Sequence, residues 1–154
     1  MTGRLRAAAG AMAIALGLAA CSNPAGPDED TGRLEANRRR FRSAVGGGYR
    51  VTYRNVCFCV DSFLEPVVLT VREGRVVAVQ SRSDGTPIPP ARWDDYRTVE
   101  RVFDAIEEAL DGGADAVRVE YDEAYGYPRE VWIDYDERLA DEERGFGLED
   151  LEPA

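Results

Sequence analysis

Thr98-Val99-Glu100-Arg101-Val102-Phe103-Asp104-Ala105-Ile106-Glu107-Glu108-Ala109-Leu110-Asp111-Gly112-Gly113 decides how this chain is read. Val99, Val102, Phe103, Ile106 and Leu110 recur at i, i+3, i+4, i+7 and i+11, the spacing that gathers apolar side chains on one face of an α-helix. Thr98 stands where a hydroxyl caps the first turn, and Asp111-Gly112-Gly113 ends the pattern. The period then changes to two. Val117-Arg118-Val119-Glu120-Tyr121 alternates apolar with polar, as a strand with one buried face does, and Pro128 to Tyr135 supplies a second strand. The expected register sets Tyr121, Val119 and Val117 against Val131, Ile133 and Tyr135, with Arg118 opposite Asp134 and Asp122 opposite Glu130.

The same unit is written earlier in the chain. A helix is expected from Gly32 to Val45, with Leu34, Phe41 and Val45 on one side and Gly46-Gly47-Gly48 stopping it. The basic run Arg38-Arg39-Arg40 with Arg42 reads as a solvated face, and contact with lipid headgroups or an acidic polymer is its functional alternative. Tyr49-Arg50-Val51-Thr52-Tyr53 matches Val117 to Tyr121 position for position. Val67 to Val71 follows Pro66, and Arg72-Glu73-Gly74 reads as a three-residue turn with Gly74 left-handed. That turn pairs Val71 with Arg75, Leu69 with Val77 and Val67 with Val79. Ser81 to Tyr96, with Asp84-Gly85 and three prolines, is an irregular connection. Phe146, Leu148 and Leu151 offer a weaker third strand for the second half. The expected fold is α+β: two helix-plus-antiparallel-strand repeats, with both helices packed on one side of an antiparallel sheet.

Ahead of this domain, Arg4 and Arg6 precede an apolar or glycine run from Ala7 to Ala20, and Leu18-Ala19-Ala20-Cys21 closes it in the pattern of a bacterial lipoprotein signal peptide. Residues 1–20 are therefore expected to be the signal, Cys21 the lipidated first mature residue, 21–30 a polar flexible tether and 31–154 a single domain. The expected location is extracytoplasmic, anchored to a membrane of the bacterial cell envelope through the lipid on Cys21. An unidentified envelope protein or ligand is the expected partner.

Composition removes more mechanisms than any motif adds. There is no histidine and no lysine, so a Ser-His pair, an imidazole metal site, a Schiff base and a phosphate-loop lysine are impossible within this chain. The net charge is −10, and residues 91–154 alone carry 7 arginines against 21 acids, a poor match to nucleic acid. No cofactor is implied.

Cys57 and Cys59 remain once Cys21 is set aside. They read as a structural disulfide, as two buried free thiols, or as a redox or copper(I) site. Cysteines two apart in a regular strand sit near the upper limit of disulfide reach, so a bond between them needs a bend. The acids Asp134, Asp136, Glu137, Asp141, Glu142 and Glu143 miss the helix-loop-helix calcium spacing, and no metal is assigned to them. Asp122, Tyr125, Tyr127 and Asp134 are candidate interaction residues, the two tyrosines as a sticky turn tip. No catalytic residue is assigned. The chain is read as a binding or interaction module rather than an enzyme. Its rivals are a thiol redox or metal-handling protein using Cys57 and Cys59, and a carboxylate enzyme using Asp122 and Asp134.

Taken in order, Tyr49 and Tyr53, Cys57-Phe58-Cys59, Pro66, Glu73-Gly74, Thr98-Val99 with Phe103, Tyr121-Asp122, Gly126-Tyr127-Pro128, Asp134 and Asp141-Glu142 resemble a domain of unknown function found in bacterial lipoproteins and other secreted proteins. The likeness covers about residues 33 to 152. It implies an exported domain with a paired-cysteine motif and no assigned activity, cofactor or catalytic residue. At the level of fold alone, the doubled unit is similar to small envelope modules such as the β-lactamase-inhibitor-like fold.

Overall fold

The computed structural model describes residues 27–57, 64–139 and 143–154. Its elements are α1 (Pro27–Ala44), β1 (Tyr49–Val56), β2 (Val67–Arg72), β3 (Arg75–Ser81), a 3-10 turn (Pro90–Asp95), α2 (Val99–Asp111), β4 (Ala116–Tyr121), β5 (Pro128–Asp134) and β6 (Arg144–Pro153). All six strands join one antiparallel sheet in the order β3-β2-β1-β6-β5-β4. Tyr49, Val51 and Tyr53 are fully buried as alternation predicts and Arg50 is exposed, although Thr52 between Val51 and Tyr53 is buried as well. Both helices cover that buried face. Phe41 of α1 meets Tyr49 edge-on at 5.6 Å and Phe103 of α2 at 6.0 Å, and Phe103 stacks on Tyr121 at 6.4 Å. The other face stays open and carries paired ions such as Arg54 with Glu130 at 3.1 Å.

α2 matches its sequence pattern throughout, down to the Thr98 hydroxyl accepting the Arg101 N–H at 3.3 Å. α1 is already helical at Pro27, inside the segment expected to be tether. A proline in the first turn loses no helical hydrogen bond, and Asp28, Glu29 and Asp30 sit where the helix dipole favours negative charge.

Both hairpin registers differ from expectation, each because of its turn. At β2–β3 the turn is two residues, Glu73 and Gly74, both left-handed at φ 52° and 71°. Leu69 therefore pairs with Val79, and a bulge between Thr70 and Val71 absorbs the mismatch. Val77, expected opposite Leu69, is left unpaired at the bulge and is 44% exposed. At β4–β5 the pairing is shifted by two residues: Val119 faces Val131, Val117 faces Ile133, and Arg118 faces Trp132 rather than Asp134. Asp122 causes the shift. Its carboxylate accepts the N–H groups of Ala124 and Tyr125 at 3.0 and 2.7 Å, closing a tight turn that the pattern of apolar residues does not reveal. A shift of two leaves every side chain on its expected face, so Val131 and Ile133 are still buried although their partners change. Asp122 does not face Glu130, and Tyr135 falls beyond β5 with 42% exposure.

The elements run as a helix and then three antiparallel strands twice along the chain, but the two halves are not related as a rotational repeat. Each meander steps in the same direction across the sheet, from β1 to β3 and from β4 to β6, while β1 and β4 point in opposite directions. With both helices on one face, superposing the halves would require turning one of them over.

Candidate functional site

The end of β1, the approach to α2 and the start of β6 enclose a cleft of about 500 Å³, lined by Cys57, Asp94, Arg97, Arg101, Arg144 and Phe146 among others. Each wall has a local cause. α2 is docked on β1 by Tyr49, whose hydroxyl accepts the Val99 N–H and donates to the Glu100 carboxylate, both at 2.8 Å. With the Thr98 cap, this occupies helix N-terminal donors, so the cleft takes its charge from side chains. The proline-rich approach is held by the Trp93 indole N–H on the Ile88 carbonyl at 2.9 Å, and Tyr96 meets Tyr53 edge-on at 6.0 Å. Phe146 stacks on Tyr53 at 6.3 Å, and the Arg97 guanidinium lies 5.2 Å from the centre of its ring. Burial pushes the Tyr53 hydroxyl above its ordinary range, an effect the Arg97 charge opposes. The hydroxyl donates to Asn55 at 2.7 Å.

The charges of the cleft are unevenly satisfied. Arg92 engages Asp95 at 3.3 Å. Arg97, Arg101 and Arg144 have no carboxylate within 4.0 Å among the described residues. Sequence reasoning missed this group. The three lie in the half of the chain where acids outnumber arginines three to one, and nothing local says which acids are already engaged.

Asp122, Tyr125 and Tyr127 share the turn between β4 and β5, and Asp134 stands apart from them. Asp122 serves its turn, and Asp134 is buried with its carboxylate accepting the Asp136 N–H at 3.2 Å. Asp134 ends the seven-residue β5 and Asp122 lies beyond its start, about 20 Å away at roughly 3.3 Å per residue. Tyr127 is buried and Tyr125 half-buried against the core, so the turn has no exposed aromatic tip. Burial raises the Tyr127 hydroxyl as well. Most of the basic run is engaged within the domain. Arg38 bridges to Glu107 and Asp104 of α2 at 2.9 and 3.4 Å, Arg39 pairs with Glu35, and Arg40 donates to the Glu123 carbonyl. Cys57 lines the cleft and is not free. Cys21, Cys59, Asp141 and Glu142 lie outside the described residues, as does the expected signal segment.

Fold and cleft together define a small α+β domain, one sheet face roofed by two antiparallel helices and a basic cleft at one end. The chain belongs to the family of unknown function DUF6174, whose model matches residues 33–153, from the first half of α1 to the end of β6. Neither the curated proteins nor the solved structures hold a match to it.

Proposed function

We propose that this is a lipid-anchored protein of the bacterial cell envelope whose domain is a binding module, with the cleft beside Cys57 as its binding site. One observation carries the reading: three segments distant in sequence are fixed into a single concavity whose arginines have no carboxylate partner among the described residues. Volumes of this order suit a small ligand or a short chain segment. No nucleophile and base converge in the cleft among the described residues, and Asp122 and Asp134 lie outside its described lining. The Leu18-Ala19-Ala20-Cys21 pattern supports export and anchoring. We assign Cys57 to a disulfide with Cys59, which stiffens the rim of the cleft. The engaged state of Cys57 and the even number of remaining cysteines in an oxidising compartment support that pairing.

A photo-crosslinking residue in place of Asp94, in the anchored protein within intact cells, tests the module. The same residue in place of Thr70 on the open sheet face is the control. A covalent adduct from position 94 that position 70 does not give is the expected result. Equal adducts from both positions, or none from either, would remove the cleft from consideration.

A further inference from the structure

Resting on the reading of the cleft as the binding site, we infer that its ligand presents an oxyanion, a carboxylate or phosphate group, to Arg97, Arg101 and Arg144. The protein as a whole argues against an accidental basic patch. Residues 91–154 hold seven arginines among 21 acids, and three of the seven line one cleft with no carboxylate partner among the described residues. With Asp95 engaged by Arg92, Asp94 is the one acid of the described lining without an ion-pair partner, which leaves an excess of two positive charges there. Guanidinium is the side chain whose fixed fork of donors matches carboxylate and phosphate oxygens two at a time. Arg97 is ready for that role. It is half-buried and held over Phe146, so little side-chain freedom remains to be lost on binding.

Two other concavities lack this property. On the open sheet face, a depression of about 360 Å³ contains Arg50 and Arg82, but Arg50 lies 3.6 Å from Glu152 and Arg82 3.6 Å from Asp150. Between the start of α1 and β4, Arg33 is 3.5 Å from Asp30. Of these three, the Cys57 cleft is the one where, among the described residues, several cations stand without a protein anion to release first.

Calorimetric titration of the lipidated protein in detergent with inorganic phosphate, citrate and, as a neutral control, glycerol tests the inference. Saturable binding of phosphate or citrate, but not glycerol, is expected, and the better of the two anions identifies the oxyanion. Arg101→Gln with Arg144→Gln should weaken that binding at least tenfold, while Arg50→Gln with Arg82→Gln leaves it within twofold. Both Arg101 and Arg144 are exposed, so the folded state should persist, checked by an unchanged thermal midpoint. Absence of saturable anion binding, or equal binding by the Arg101/Arg144 variant, overturns the oxyanion. An adduct from position 94 alongside that failure would retain the binding module with a different ligand class.

Discussion

Tyr49 joins three levels of the structure through one hydroxyl. Its ring fills the core beside Phe41, and its oxygen supplies a buried helix N–H with an acceptor and Glu100 with a donor. Tyr49→Phe keeps the ring and strands the Val99 N–H, so it should cost about 1–3 kcal/mol in urea denaturation. A loss below about 0.5 kcal/mol would mean that the Thr98 cap alone secures the helix start. The tyrosines also set an alkaline limit. Burial pushes the hydroxyls of Tyr49, Tyr53 and Tyr121 upward from the ordinary value of 10.0, Tyr121 to about 12. The folded state keeps these protons at a pH where the unfolded chain gives them up. Stability is therefore undiminished below pH 10 and falls as pH rises above it. Urea midpoints at about pH 8 and pH 11 should differ in that sense, and Tyr121→Phe should reduce the difference. Gly126 offers a cleaner comparison. It is left-handed at φ 76°, and an added Cβ would lie 2.8 Å from the Asn37 carbonyl, whereas Gly85 at φ 74° has open space. Gly85→Ala should cost about 1–2 kcal/mol for backbone strain alone. Gly126→Ala should cost more, and equal costs would show that α1 yields to the intruding methyl.

Between the helices, Leu34, Arg38, Phe41 and Val45 form one stripe, and Arg38 is its charged member. It reaches Glu107 at 2.9 Å while its guanidinium lies 5.6 Å from the centre of the Phe103 ring. A double-mutant cycle with Arg38→Ala and Glu107→Ala should return a coupling of about 0.5–1 kcal/mol, modest because Glu107 is partly in water. Arg38→Ala alone should cost more than that coupling through lost contact along its stem. Helices and buried faces were legible in the sequence because they depend on period: Val99 to Leu110 could hardly be read otherwise. Strand partners were not, because Glu73 in a left-handed conformation and the Asp122 side chain set them from within the turns. β6 looked weak for a related reason. Gly145 and Gly147 resemble strand breakers, yet a Cβ at Gly147 would stand 2.5 Å from the Arg54 Nε and one at Gly145 2.8 Å from the Val131 carbonyl. The glycines make room for neighbours that only the assembled sheet supplies. Arg97, Arg101 and Arg144 were illegible as a group for the same long-range reason.

The molecule as a whole is expected to hang from Cys21. Cys21→Ser should abolish metabolic labelling with a fatty acid and release the protein from the membrane fraction; unchanged labelling and fractionation would refute the anchor. Alkylation of the Cys21→Ser protein, with and without prior reduction, then counts the remaining thiols by intact mass. No reactive thiol before reduction and two after it are expected. Two before reduction would discard the disulfide and return Cys57 and Cys59 to the reading as free thiols.

The antiparallel arrangement of the helices has a mechanical consequence. Asp30 and Arg33 near the start of α1 share a groove with Leu110 at the end of α2, while Arg97 and Arg101 at the other end of α2 line the cleft. Thirteen helical residues, about 20 Å at 1.5 Å each, separate the two ends. In a chain tethered ahead of Pro27, the point of attachment and the point of capture therefore lie at opposite ends of the helix pair. Tension between membrane and captured partner would run along the helix axes and load α1 in shear against α2. The Phe41–Phe103 contact and the Arg38–Glu107 bridge would then resist together, rather than peel apart one after the other.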